Sequence, residues 1–291
     1  MEAKDILSKV RRIEIKARGL SKQVFAGQYH SAFKGKGMAF SEVREYQYGD
    51  DVRSIDWNVT ARFNHPFVKI FEEERELTVM LLIDVSKSNK FGTEAAFKSD
   101  VITELAGVLS FSAIFNNDKV GVILFSDKVE KFIPPQKGRS HILRIIRELL
   151  VFEPESNGTD LSVAMRFLTN VVKKRCTAFV ISDFQSADYE ESFRICKRRH
   201  DLVAIRLIDK LEENLPNVGL IRAYDLENQK VSWIDTSSKK LREKYKYHWQ
   251  NFNTKTEDFF LKTGTDEMKL RTGDDFVKPL IKLFKKRESK Y

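Results

Sequence analysis

Apolar residues along this chain fall into two alternating patterns. Nearly unbroken apolar runs occupy residues 79–85, 120–125, 178–181 and 201–208. Each has the length of a strand and reads as one buried on both faces, as in a parallel sheet. Between these runs the apolar residues recur at helical spacing. They do so at Val101, Leu105, Val108, Leu109 and Ala113, then at Ile142, Leu143, Ile146, Leu149 and Leu150, then at Leu161, Ala164, Met165 and Leu168. Residues 192–199 add a more polar helix. Strands alternating with helices predict an α/β fold with a doubly wound, mostly parallel, Rossmann-like sheet. Residues 129–133 alternate and end at Pro134-Pro135, which suits an antiparallel edge strand. Ile6, Leu7, Val10, Ile13 and Ile15 predict an amphipathic helix over residues 6–20 that ends at Gly19. Towards the carboxyl end, residues 219–225 and 230–235 read as a hairpin. From Ser238 onward the pattern is mostly helical, ending in a helix through Leu280, Leu283 and Phe284.

Composition narrows the class. The chain has 291 residues, 42% of them hydrophobic, enough for a sizeable core in one large or two small domains. No repeat or Gly/Ser linker divides it. The charged first five residues are unlike a secretory signal, and no run approaches the roughly 18 apolar residues of a membrane span. Cys176 and Cys196 lack metal-ligand spacing and read as buried, reduced thiols of a cytoplasmic protein. Of the net charge of +9, most lies in residues 239–291, where 15 Lys/Arg face 8 Asp/Glu. Nucleic acid is not the favoured partner, because residues 239–245 alternate in sign and carry no recognition motif.

Candidate chemistry sits at strand ends. The run at 79–85 contains Asp84 and is followed by Ser86 and Ser88, three oxygen groups just past the strand. Oxygen-only ligands suit a hard cation such as Mg²⁺, which keeps several waters. Asp and Ser are also ordinary turn residues, so a plain polar turn stands beside that reading. Gly158-Thr159-Asp160 leads into a helix with Asp160 as its N-cap, and Ser182-Asp183 ends another buried strand. Taken together these positions resemble the metal-ion-dependent adhesion site of von Willebrand factor A domains. The resemblance implies Asp84, Ser86, Ser88, Thr159 and Asp183 as ligands of Mg²⁺ or Mn²⁺, with one position open to an acidic residue of a partner.

Residues 35–62 form the other distinctive stretch. Charges of alternating sign surround Tyr46, Ile55 and Trp57. They predict a semi-buried ion-pair network of Glu42, Asp50, Asp51 and Asp56 with Arg44, Arg53 and Arg62. Acid/base catalysis by Asp50, Asp51 and Asp56 is the less favoured reading, since the arginines keep them ionised. Gly35-Lys36-Gly37 lacks the spacing of a phosphate loop. This stretch and the run at 67–88 resemble the bacterial family known as domain of unknown function 58. That likeness implies residues 1–77 as an amino-terminal helix and signature segment packed on the main domain. Residues 78–210 would be the von Willebrand factor A-like domain, and 211–291 a hairpin and helical tail of that domain. It also implies a partner, an AAA+ ATPase of MoxR type, together with a client protein.

Three function classes follow. The expected one is a non-enzymatic, metal-dependent protein-interaction module. A Mg²⁺-dependent phosphohydrolase is the alternative, weakened because Ser86 stands where such enzymes carry a second Asp and no catalytic Lys is evident. Nucleic-acid binding through the basic tail is the third. His65, His141, His200 and His248 are scattered and read as structural or exposed.

Overall fold

The apolar run at the centre of the pattern becomes β3 (Thr78–Asp84), with every residue after Thr78 buried. The computed structural model describes residues 3–25, 38–73, 77–86, 98–156, 158–186, 188–224 and 231–289. β3 lies between two parallel neighbours, β4 (Lys119–Phe125) and β6 (Thr177–Ser182). Beyond β4 comes β5 (Val129–Gln136), the antiparallel edge, and beyond β6 come β7 (Asp201–Ile208) and β10 (Asp266–Arg271). The order β5-β4-β3-β6-β7-β10 is doubly wound, and its switch point lies between β3 and β6. Gly121 on β4 is required by packing. A Cβ there would stand 2.7 Å from the Met80 sulfur and 3.0 Å from the Ile133 carbonyl oxygen.

One face of the sheet packs on α5 (Leu161–Val171), α6 (Glu190–Arg199) and α8 (Lys239–Thr263). The other is covered by α3 (Lys98–Phe115), which is apolar nearly all round because α1 (Ala3–Phe25) and α4 (Arg139–Val151) cover it in turn. Helix α1 runs straight through Gly19 instead of ending there. Its Val10, Ile13 and Ala17 are buried, and Ile13 and Ala17 close on Gly107 of α3. Past Gly19, Ser21 is buried and donates to the Val108 carbonyl of α3 at 3.2 Å, so contacts on both sides of the glycine offset the ~1 kcal/mol it costs in a helix. Among the described residues no helix is long and apolar enough to cross a membrane.

The carboxyl-terminal segment differs from the helical expectation. After α8, residues 266–271 form β10, whose Asp266, Met268 and Leu270 are buried while Lys269 and Arg271 are exposed. Two buried arginines tie this edge down. Arg206 of β7 pairs with Glu267 at 3.0 Å. Arg287 of α9 (Val277–Glu288) donates to Asp266 at 2.8 Å and also pairs with Asp201. After the short α7 (Lys210–Glu213), residues 220–224 and 231–235 form the expected hairpin, β8 (Leu220–Tyr224) with β9 (Val231–Asp235).

The chain divides into a larger unit, Met1–Phe33 with Thr78–Tyr291, and a smaller one, Lys34–Leu77. Residues 1–77 are therefore not one piece, since α1 belongs to the larger unit through its apolar face. Residues 211–291 contribute β10 and α9 to that same unit.

In the smaller unit, β1 (Met38–Glu45) pairs antiparallel with β2 (Phe67–Glu73), followed in sequence from β1 by a 3₁₀ turn (Val52–Ser54) and α2 (Trp57–Phe63). The expected ion-pair network is one fork and two caps. Arg44 donates to both oxygens of Asp50 at 2.8 and 2.7 Å, which holds the Asp50 carboxyl below its usual range. The charge of Glu42 also reaches Arg44. Asp51 instead caps the 3₁₀ turn through the Arg53 amide, and Asp56 caps α2 through the Asn58 and Val59 amides while pairing with Lys69 at 3.4 Å. Each precedes a turn with free N–H groups, and capping them needs no long side chain to be ordered. Among the described residues, Arg53 and Arg62 are exposed and form no ion pair. Gly35-Lys36-Gly37 lies outside the described residues.

Candidate metal centre

Asp84 is the last residue of β3 and is completely buried. Pairing continues one step past it, from the Val85 amide to the Phe125 carbonyl at 2.9 Å, before the chain turns away. The Ser86 amide donates to Asp84 Oδ1 at 2.9 Å, and the Ser182 hydroxyl of β6 donates to Asp84 Oδ2 at 2.8 Å. Burial is the largest influence on this carboxyl and the charge of Asp183 the next. Against hydrogen bonds from Ser86 and Ser182, they push its pKa up to about 6.

Asp183 follows β6 directly and is nearly buried. Its Oδ1 accepts the Gln185 amide at 3.0 Å, and its Oδ2 lies 3.6 Å from Lys98 Nζ. The next residue, Phe184, has φ 61°, a left-handed conformation that is costly for a bulky side chain. It is held there by burial against Phe260, with ring centroids 5.1 Å apart, and by its amide donating to Ser182 Oγ at 3.0 Å. The same serine thus fixes both the turn after Asp183 and an oxygen of Asp84.

Thr159 is half-buried on the loop leading to α5. Its carbonyl accepts the Ser186 hydroxyl at 3.2 Å, and the next amide, of Asp160, donates to the Ser126 carbonyl at 2.9 Å. The loop is therefore tied to the ends of both β4 and β6. Asp160 caps α5 through the Ser162 amide. Ser88 lies outside the described residues. Of the five expected ligands, Asp84, Ser86 and Asp183 gather at the rim between β3 and β6, and Thr159 sits on a loop tied to the same rim. Among the described residues no three His, Cys, Asp or Glu side chains form a metal cluster. The acidic share here is two carboxylates, and the remaining donors are hydroxyls. Such an all-oxygen set fits a hard cation that retains water.

Lys98, Glu212 and Ser182 were not anticipated. Lys98 opens α3, is wholly buried, and donates to Glu212 Oε1 at 2.7 Å. Burial opposes its charge, but Asp183 and Glu212 outweigh that and raise its pKa. The only signal in the sequence was a lysine just ahead of the apolar helical stripe of residues 101–113. His141 and His200 are buried and structural. His141 Nε2 meets the Val120 carbonyl at 2.8 Å, while burial lowers the His200 pKa to about 4.

The sequence model of the family described as Protein of unknown function DUF58 matches residues 42–255. The chain belongs to the DUF58 family. Uncharacterized protein Rv1480 of Mycobacterium tuberculosis is 31% identical to it over 222 residues, which are 75% of this chain and 70% of that protein. Among solved structures, conserved hypothetical protein BatB from Bacteroides thetaiotaomicron is similar at a TM-score of 0.48 and 15% identity, over 73% of this chain and 99% of that one. The SpRpn10 VWA domain is similar at a TM-score of 0.34 and 13% identity, over 45% of this chain and 75% of that domain.

Proposed function

We propose that this DUF58 protein is a non-enzymatic, metal-dependent protein-interaction module of the cytoplasm. Asp84, Ser86, Thr159 and Asp183 would hold Mg²⁺, or Mn²⁺ in its place, joined by Ser88 on the strength of its sequence position. The bound ion would supply a site for the carboxylate of a partner's Asp or Glu. The chain's own groups do the positioning. Ser182 and the Ser86 amide fix the Asp84 oxygens, and the Gln185 amide fixes one oxygen of Asp183. The observation that carries this reading is the pair of buried carboxylates at the sheet's switch point, where ligands of doubly wound folds bind, near enough that the charge of Asp183 raises the pKa of Asp84. Two like charges out of water favour a cation between them. By family resemblance the proposed partner is an AAA+ ATPase of MoxR type, with its client.

Capture of that ATPase or client by the purified chain tests this. Capture is expected with Mg²⁺ and lost with chelator or Asp84→Asn. Capture indifferent to both contradicts it. One observation favours a second reading, a phosphohydrolase, because buried Lys98 supplies the ammonium beside Asp183 that the sequence did not reveal. Mg²⁺-dependent phosphate release from a generic phosphoester, abolished by Asp84→Asn, would favour that reading instead.

A further inference from the structure

Resting on the metal reading above, we propose that Lys98, anchored by Glu212, is the resident cation of the Asp84–Asp183 pair and limits how tightly a divalent ion binds there. The position of Lys98 is unfavourable on general grounds. An ammonium is strongly hydrated, yet this one is wholly buried. Anions must therefore hold it, and two do so unequally.

Glu212 grips it at 2.7 Å and is itself fixed, because its other carboxylate oxygen accepts the Asp209 amide at 2.9 Å. Asp183 Oδ2 lies 3.6 Å away, outside hydrogen-bonding distance but close enough for strong attraction between buried charges. Lys98 thus offsets the charge of Asp183, one member of the pair, from one side without closing on it. An arriving ion meets an opposing charge already in place.

Calorimetric titration of the full chain with Mn²⁺, paired with thermal unfolding in chelator, tests this. Lys98→Met is expected to bind Mn²⁺ about tenfold or more tightly, since a unit charge a few ångströms away is removed. It should also lose more thermal stability in chelator and recover more of it with Mn²⁺ than the wild type. Glu212→Gln is expected to move affinity the other way, because the ammonium is then left unneutralised beside Asp183. Opposite signs support the assignment, as does binding by Lys98→Met where the wild type binds nothing. Affinity that falls or holds steady in Lys98→Met, or rises in Glu212→Gln, overturns it, because a purely structural ion pair would loosen the site in both variants. If Lys98→Met fails to fold in either buffer, Lys98→Gln takes its place, with tighter binding in support and equal or weaker binding against. Failure of the wild type and both variants to bind Mn²⁺ sinks the metal reading itself, whereas wild-type binding that neither substitution changes sinks only the role of Lys98.

Discussion

Replacing Asp84 with Asn should stabilise the protein in the absence of metal while destroying the proposed site. The buried carboxyl has a pKa near 6, against about 4 for an unfolded aspartate. A carboxyl whose pKa is raised by folding costs nothing at low pH, where both states are protonated. The cost appears as the pH passes the unfolded value and is complete above the folded one, so it builds up between about pH 4 and pH 6. A shift of about two units amounts to roughly 3 kcal/mol at pH 7. Asn escapes that cost and can keep the acceptor for the Ser86 amide. Its NH₂ group, however, faces Ser182 Oγ, which now donates to Asp84 and must turn to accept, at a cost of about 1 kcal/mol. The net expectation is a gain of roughly 1–2 kcal/mol at pH 7 that reverses to a loss of up to about 1 kcal/mol near pH 4. Urea denaturation in chelator across that range measures it. Adding Mg²⁺ should raise wild-type stability and leave the variant unmoved. A variant less stable than wild type at pH 7, or a gain that persists at pH 4, would refute the reasoning.

The remaining predictions concern the frame around the site. Arg287→Met leaves Asp201 and Asp266 only the longer contacts of Lys197 at 3.4 Å and Lys286 at 3.7 Å and should cost about 3 kcal/mol by urea midpoint, whereas a loss under about 1 kcal/mol would contradict the clamp. Gly121→Ala forces a methyl group against Met80 and the Ile133 carbonyl and should cost about 1–3 kcal/mol, read from the thermal midpoint. Burial pushes the Cys176 and Cys196 thiols up to about 12 and about 11, so neither should react with Ellman's reagent at pH 8 until denaturant is added. Rapid reaction of the native protein would show that these thiols are not enclosed as described.

Strands β3, β4, β6 and β7 were legible because a strand covered on both faces needs an unbroken apolar run, and little else of that length does. Their order in space then put Asp84 and Asp183 together. β10 was not legible. It is an edge strand whose exposed Lys269 and Arg271 alternate with buried Met268 and Leu270, and its buried Asp266 and half-buried Glu267 are held by Arg287 and Arg206, which reach them from distant parts of the chain. The same limitation hid Lys98, since its partners lie 85 and 114 positions away and only folding brings them near. Gly19 was misleading because local propensity is worth about 1 kcal/mol and a buried helix face is worth more. The charges at 42–62 were visible as a cluster, but spacing alone did not show that Asp51 and Asp56 would serve backbone amides before arginines.

The central claim is that the buried Asp84–Asp183 pair is a cation site, and Mn²⁺ binding followed by electron paramagnetic resonance addresses it directly. The account predicts one bound ion per chain in the wild type, displaced by excess Mg²⁺, and none in Asp84→Asn or Asp183→Asn. Binding retained in both variants, or absent from the wild type and from Lys98→Met alike, would contradict it.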